Sequence, residues 1–116
     1  MTFVARQARR GARFAGAVLD PPSWGHGPRG QAFAIDRDLA PLLAEVARLL
    51  EQPAGPVLVT CHSPGWRHDL LEATLRESLE AAGLEGGRPA SGPLGCVDGS
   101  GRTLRLGDFA RWTPSR

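Results

Sequence analysis

The chain has 116 residues, a length that suits one domain or part of one. With 41% hydrophobic and 22% charged residues it excludes wholesale disorder, and no apolar run approaches the roughly 18 residues of a membrane span. Its net charge of +2, carried by 14 arginines and no lysine against 12 acids, permits a polyanionic partner without demanding one.

Taken in chain order, TFVARQARRGARF predicts a short amphipathic helix. Arg6, Arg9, Arg10 and Arg13 recur at helical spacing on one face, which is either solvated or turned to phosphates. Ala17–Asp20 is a short apolar run ending in an acid and predicts a buried parallel strand. The stretch from Pro21 to Gly30 is expected to form no regular element, because Pro and Gly break both helix and strand. From about Asp38 to Leu50, Leu39, Leu42, Leu43, Val46, Leu49 and Leu50 form one apolar stripe. Asp36 or Asp38 caps that helix, and Pro41 is tolerable only in its first turn.

Val57–Cys61 predicts a second buried strand. A helix from about His68 to Ala82 follows, with Leu70, Leu71, Leu75 and Leu79 inward and Gly83 as its stop. Segments near Gly87–Val97 and Thr103–Trp112 read as strands joined by the Asp98–Arg102 turn, with Cys96 and Trp112 as packing residues. Alternation followed by a hairpin predicts an α/β fold whose parallel sheet has an antiparallel edge.

The chemistry concentrates where the first strand runs into Asp20-Pro21-Pro22-Ser23-Trp24. Ligands of open α/β sheets bind beyond the carboxyl ends of strands, where Asp20 would sit. Two successive prolines stiffen the turn and lack N–H donors, so carbonyls and a carboxylate face outward. That set accepts hydrogen bonds from an amino group on a flat substrate, with Trp24 placed to stack on it. The plainer alternative is a Pro-rich turn in which Asp20 is a helix cap. Cys61 ends the second strand on the same rim, where it is either a thiolate nucleophile or a small packing hydrophobe. His62 after it polarises a substrate group or caps the next helix. Gly25–Gly30 spells GxGxxG, but DPPSW separates it from the strand, so a substrate loop with Arg29 near a phosphate fits better than a cofactor-phosphate turn. His26 and His68 have no metal-ligand spacing, so no metal is expected.

VLDPPSWGHGPRG resembles the fourth motif of class I methyltransferases, and more narrowly the DPPSF-type loop of the ribosomal RNA large-subunit methyltransferase family. RDLAPLL and VLVTCHSPG follow in that family's order, and GRTLRLGDFARW resembles its closing hairpin, so the likeness runs from Phe3 to Trp112. The resemblance implies the C-terminal half of a Rossmann-like sheet and a reaction that moves a methyl group from S-adenosylmethionine to a base of 23S ribosomal RNA, cytosine C5 foremost. It implies Asp20, Pro21, Pro22 and Cys61 as catalytic, Ser23, Trp24, Arg29 and His62 as substrate contacts, and Asp20 at the edge of the cofactor pocket. Relatives have Ser where this chain has His62.

Residues 1–116 are thus expected to be a partial domain that lacks the strands gripping the cofactor and is inactive alone. A cytoplasmic location and self-association through an exposed sheet edge are expected too. The rivals are a non-catalytic remnant or interaction module that does not bind S-adenosylmethionine, and an unrelated metabolite-binding α/β domain.

Overall fold

A computed structural model describes residues 3–26 and 32–115. Elements follow in the order α1 (Phe3–Arg9), β1 (Ala17–Leu19), β2 (Trp24–His26), β3 (Ala32–Ala34), α2 (Ile35–Arg48), β4 (Val57–Cys61), α3 (His68–Ala81), β5 (Arg88–Val97) and β6 (Thr103–Thr113). A four-stranded mixed sheet has the order β1-β4-β6-β5. β1 and β4 are parallel, with Leu19 opposite Val59, whereas β6 is antiparallel to both of its neighbours. The closing hairpin therefore folds back so that its second strand, not its first, meets the parallel pair.

Period two along β4 turns Val57, Val59 and Cys61 to one face. There they meet Ala110 and Trp112 of β6 beneath Leu39 and Leu43 of α2 and Leu71, Leu75 and Leu79 of α3. Each of these side chains is an apolar group taken from water, and together they are the main source of stability. The opposite face carries Val18, Leu58, Thr60, Phe109 and Arg111.

Several expectations change. Gly11, at φ +71, sits in the turn that follows α1, so the helix ends at Arg9 and the four-arginine face is broken before Arg13. The Pro–Gly stretch does contain a strand: Trp24, Gly25 and His26 pair antiparallel with Ala32–Ala34, because the prolines fall on either side of that triplet. α2 begins at Ile35, and Pro41 lies beyond its first turn on the exposed side, which forgoes the bond to the Arg37 carbonyl. Asp38 reaches back to the Ala34 N–H at 2.9 Å. The Arg37 guanidinium and that N–H hold its carboxyl down to about 2. Leu70 is exposed rather than inward, and so is Cys96, whereas Trp112 is buried as expected.

The β5–β6 hairpin closes through Asp98, whose carboxylate accepts from the Ser100 hydroxyl at 2.7 Å and from the Ser100 and Arg102 backbone N–H groups. These bonds lower its pKa, the Ser100 hydroxyl most. A bulge between Leu94 and Gly95 leaves Leu106 without a cross-strand partner and swings β6 against the end of β4.

Candidate functional site

The parallel register brings the ends of β1 and β4 to one lip. Asp20 follows β1 directly, and its Oδ1 accepts a hydrogen bond from the Thr60 hydroxyl at 2.7 Å. His62 Nε2 stands 3.4 Å from the same oxygen. The other ring nitrogen, Nδ1, contacts the Leu106 carbonyl of the bulged strand. Both side chains remain more than half exposed, Asp20 at 61% and His62 at 53%, so the lip is open to a ligand.

The two loops leaving the lip are tied to each other. Ser23 Oγ lies 2.6 Å from Ser63 Oγ, which is on a buried residue. The Ser23 carbonyl accepts from the Ile35 N–H at 3.0 Å, and Trp66 Nε1 donates to Asp36 at 2.6 Å. The start of α2 thus anchors both the loop after β1 and the loop after β4. Pro21 is buried, Pro22 is exposed, and neither offers an N–H. Trp24 is 68% exposed on β2.

Asp20, Pro22, Ser23, Trp24 and His62 therefore all belong to this open end of the sheet. Arg29 lies outside the described residues. Cys61 departs from the expectation. It ends β4 at the right level of the sheet, but its thiol is on the inward face with 1% exposure, packed in the core. Thr60 and His62, of opposite parity, hold the outward positions. The strand alternation in VLVTCH already contains that answer, since Cys61 has the parity of Val57 and Val59.

Thr60, Ser63 and Gly107 are the residues that sequence reasoning missed. A Cβ at Gly107 would meet the Cys61 carbonyl oxygen at 2.4 Å and His62 Nδ1 at 2.8 Å, so only glycine lets β6 come this close. Next to it, Asp108 is 5% exposed. It accepts from the His68 N–H at 2.8 Å, at the first residue of α3, and from Arg105 at 2.6 Å. Burial alone would raise its pKa, but the Arg105 hydrogen bond, the His68 N–H and the nearby positive charge outweigh it and leave the value lowered.

Chemically, the lip presents a carboxylate, an imidazole and hydroxyls, and the exposed Trp24 indole follows one residue after Ser23. This donor set suits a planar ligand with an amino group better than an anion. Among the described residues no three His, Cys, Asp or Glu side chains are grouped to hold a metal ion. A groove of about 400 Å³ runs from Asp20 along the outer edge of β1 and is lined chiefly by apolar side chains such as Phe3, Phe14, Val18 and Leu42.

No family model matches the chain, and neither does any curated protein. Solved structures do. An S-adenosylmethionine-dependent methyltransferase from Agrobacterium tumefaciens is 29% identical with a TM-score of 0.85, over 97% of this chain and 37% of that one. SMU.776, solved with S-adenosylhomocysteine, is 12% identical with a TM-score of 0.57, over 96% of this chain and 29% of its own. M1.HpyAVI is 15% identical with a TM-score of 0.51, over 97% of this chain and 49% of its own. The chain thus spans little more than a third of the Agrobacterium protein. Its mixed α/β sheet has the fold of S-adenosylmethionine-dependent methyltransferases.

Proposed function

We propose that these 116 residues are the acceptor-holding portion of an S-adenosylmethionine-dependent methyltransferase that modifies a base of large-subunit ribosomal RNA. The observation that carries this reading is the exposed Asp20 carboxylate, fixed by Thr60 and His62 at the carboxyl end of parallel strands. The Agrobacterium likeness supports methyl transfer, and the DPPSW loop supports a nucleobase as acceptor.

S-adenosylmethionine supplies the methyl group. Among the described residues the lip does not fit the whole cofactor: Pro21 and Pro22 have no N–H groups to offer, and no second acid contacts Asp20. The residues that grip the ribose and methionine parts belong to polypeptide outside this chain, which is inactive by itself. What this chain contributes is positioning. The Asp20 carboxylate and the adjacent carbonyls accept the amino hydrogens of a base, Trp24 stacks on its face, and the Ser23–Ser63 pair keeps the two loops in register. Such a lip orients an amino nitrogen for attack and needs no covalent nucleophile.

Methylation at cytosine C5, which the sequence resemblance favours, requires a thiolate to add to the ring. The inward thiol of Cys61 weighs against it and in favour of an exocyclic amino group.

Tryptophan fluorescence of the purified chain, titrated with cytidine, adenosine and uridine, tests the proposal. Cytidine or adenosine quenches Trp24 with millimolar affinity, whereas uridine, which has no amino group, does so much more weakly. Trp24→Ala and Asp20→Asn each abolish the difference, and Cys61→Ala leaves it unchanged. Calorimetry with S-adenosylmethionine on the same chain gives no heat of binding. Equal quenching by all three nucleosides, or none at all, refutes the amino-group lip.

A further inference from the structure

His62 meets two groups that can only accept. The Leu106 carbonyl of the bulged strand contacts Nδ1, and the Asp20 carboxylate stands 3.4 Å from Nε2. A carbonyl has no hydrogen to give, so the contact with Leu106 requires Nδ1 to carry one. The single hydrogen of a neutral imidazole is then spent on β6, and Nε2 turns a lone pair toward Asp20. Gly107 makes the arrangement possible, since a Cβ there would come within 2.8 Å of Nδ1. The Thr60 hydroxyl donates to the Asp20 oxygen that faces His62. Asp108, the carboxylate that β6 brings nearby, is buried and already bonded to Arg105 and to the His68 N–H. Asp20 is therefore the acid that His62 answers to.

Neutral His62 and the Asp20 carboxylate thus confront each other as two acceptors with room for one hydrogen between them. An amino group that gave one hydrogen to each of two acceptors would need them roughly 5 Å apart, because its N–H bonds diverge by about 120° and each donor–acceptor distance is about 2.9 Å. Acceptors 3.4 Å apart instead share a single N–H in a three-centre bond.

We propose that His62 and Asp20 together read one N–H of the ligand's amino group, and that a proton on His62 Nε2 competes for the same place. This rests on the nucleobase-holding lip proposed above and makes His62 a specificity-determining residue within it. With Nε2 bare, the ligand N–H enters the gap and is shared, while the second amino hydrogen goes to the carbonyls of the proline loop. With Nε2 protonated, the imidazolium donates to Asp20, the gap is closed, and one of the ligand's two acceptors has become a donor. Binding to the protonated form therefore releases that proton to solvent.

Nitrogen-15 NMR of the histidine rings, on the full chain without ligand at about pH 8, reads the tautomer. The expected result is a hydrogen on Nδ1 and a bare Nε2 for His62, and a hydrogen on Nε2 overturns the proposal. Tryptophan quenching by cytidine is then compared at about pH 5.5 and about pH 8, the interval in which an imidazole ordinarily takes up its second proton. Affinity is about fivefold or more lower at the acid end, and cytidine added near about pH 6 moves the His62 signals toward the neutral form. His62→Gln sets an amide close to the Nε2 position, and its NH2 turns to Asp20 at every pH. That variant binds cytidine about fivefold more weakly at about pH 8 and has lost the pH dependence. Cytidine binding that remains selective over uridine, yet is equal at both pH values and indifferent to His62→Gln, overturns this inference and leaves the amino-group lip standing. Loss of the selectivity itself overturns both.

Discussion

Replacing Gly107 by Ala tests whether the site depends on the bulged strand behind it. The new methyl would sit 2.4 Å from the Cys61 carbonyl oxygen and 2.8 Å from His62 Nδ1. Ordinary carbon contacts lie near 3.5 Å, so a displacement of about 1 Å is required. Neither neighbour yields easily, because one is backbone at the end of β4, paired with Asp108, and the other is held by Leu106. Retreat of β6 breaks the ladder where Cys61 faces Asp108, at about 1 kcal/mol for each hydrogen bond lost. Gly107 also has φ +155, a conformation that costs other residues roughly 1–3 kcal/mol. The two contributions together come to about 3 kcal/mol. For a chain of 116 residues each kcal/mol is worth about 4 °C, so Tm falls by about 12 °C. Far-UV circular dichroism during heating reads this, and the His62 ring resonances report the loss of its contact with Leu106. A Tm within about 3 °C of wild type, together with unmoved His62 resonances, would refute the idea that glycine is needed for the close approach.

Asp108→Ala removes the carboxylate at the start of α3 and the Arg105 pair, and destabilises by about 2 kcal/mol at neutral pH. Because the folded-state pKa is lowered, the wild-type advantage is full above the ordinary carboxylate value of about 3.9. It disappears as pH falls through the lower folded value, so denaturation of the two proteins at neutral and strongly acidic pH gives a gap that narrows toward acid. Thr60→Val keeps the shape of the side chain but removes the donor to Asp20. Stability changes by no more than about 1 kcal/mol, while cytidine binding weakens by roughly fivefold as the carboxylate loses its orientation. Unchanged cytidine binding would make Thr60 a bystander.

Much of the scaffold is readable from residue type and spacing. Leu39, Leu43, Val46 and Leu50 fall on one helical stripe, and the same residues are buried. DGSGR between two alternating runs specifies the hairpin, with the Asp98 carboxylate capping its own turn. The insertion of β6 between β4 and β5 was not readable, because strand order depends on long-range packing that no local pattern encodes. Trp24–His26 was hidden by composition: prolines stand on both sides of the triplet and Gly25 lies within it, yet the three residues still pair with Ala32–Ala34. For the site, Asp20 and the loop after it were legible from their place at a strand end. Thr60 and Ser63 were not singled out, since hydroxyl residues are common and their role arises only when two distant loops meet. Cys61 shows the opposite failure. Alternation along β4 turned it inward, and the motif resemblance pointed the reading the other way.

That inward thiol has a practical corollary. Of the two cysteines in the chain, Cys61 is sealed in the core and Cys96 stands in solvent on β5. A maleimide dye or nitroxide added to native protein therefore attaches at Cys96 alone and leaves the lip unmodified, giving a single reporter on the hairpin without mutagenesis. Reaction at Cys61 then marks the moment at which the sheet opens. One reagent, applied along a denaturant series, times the exposure of the core against the accessibility of the surface.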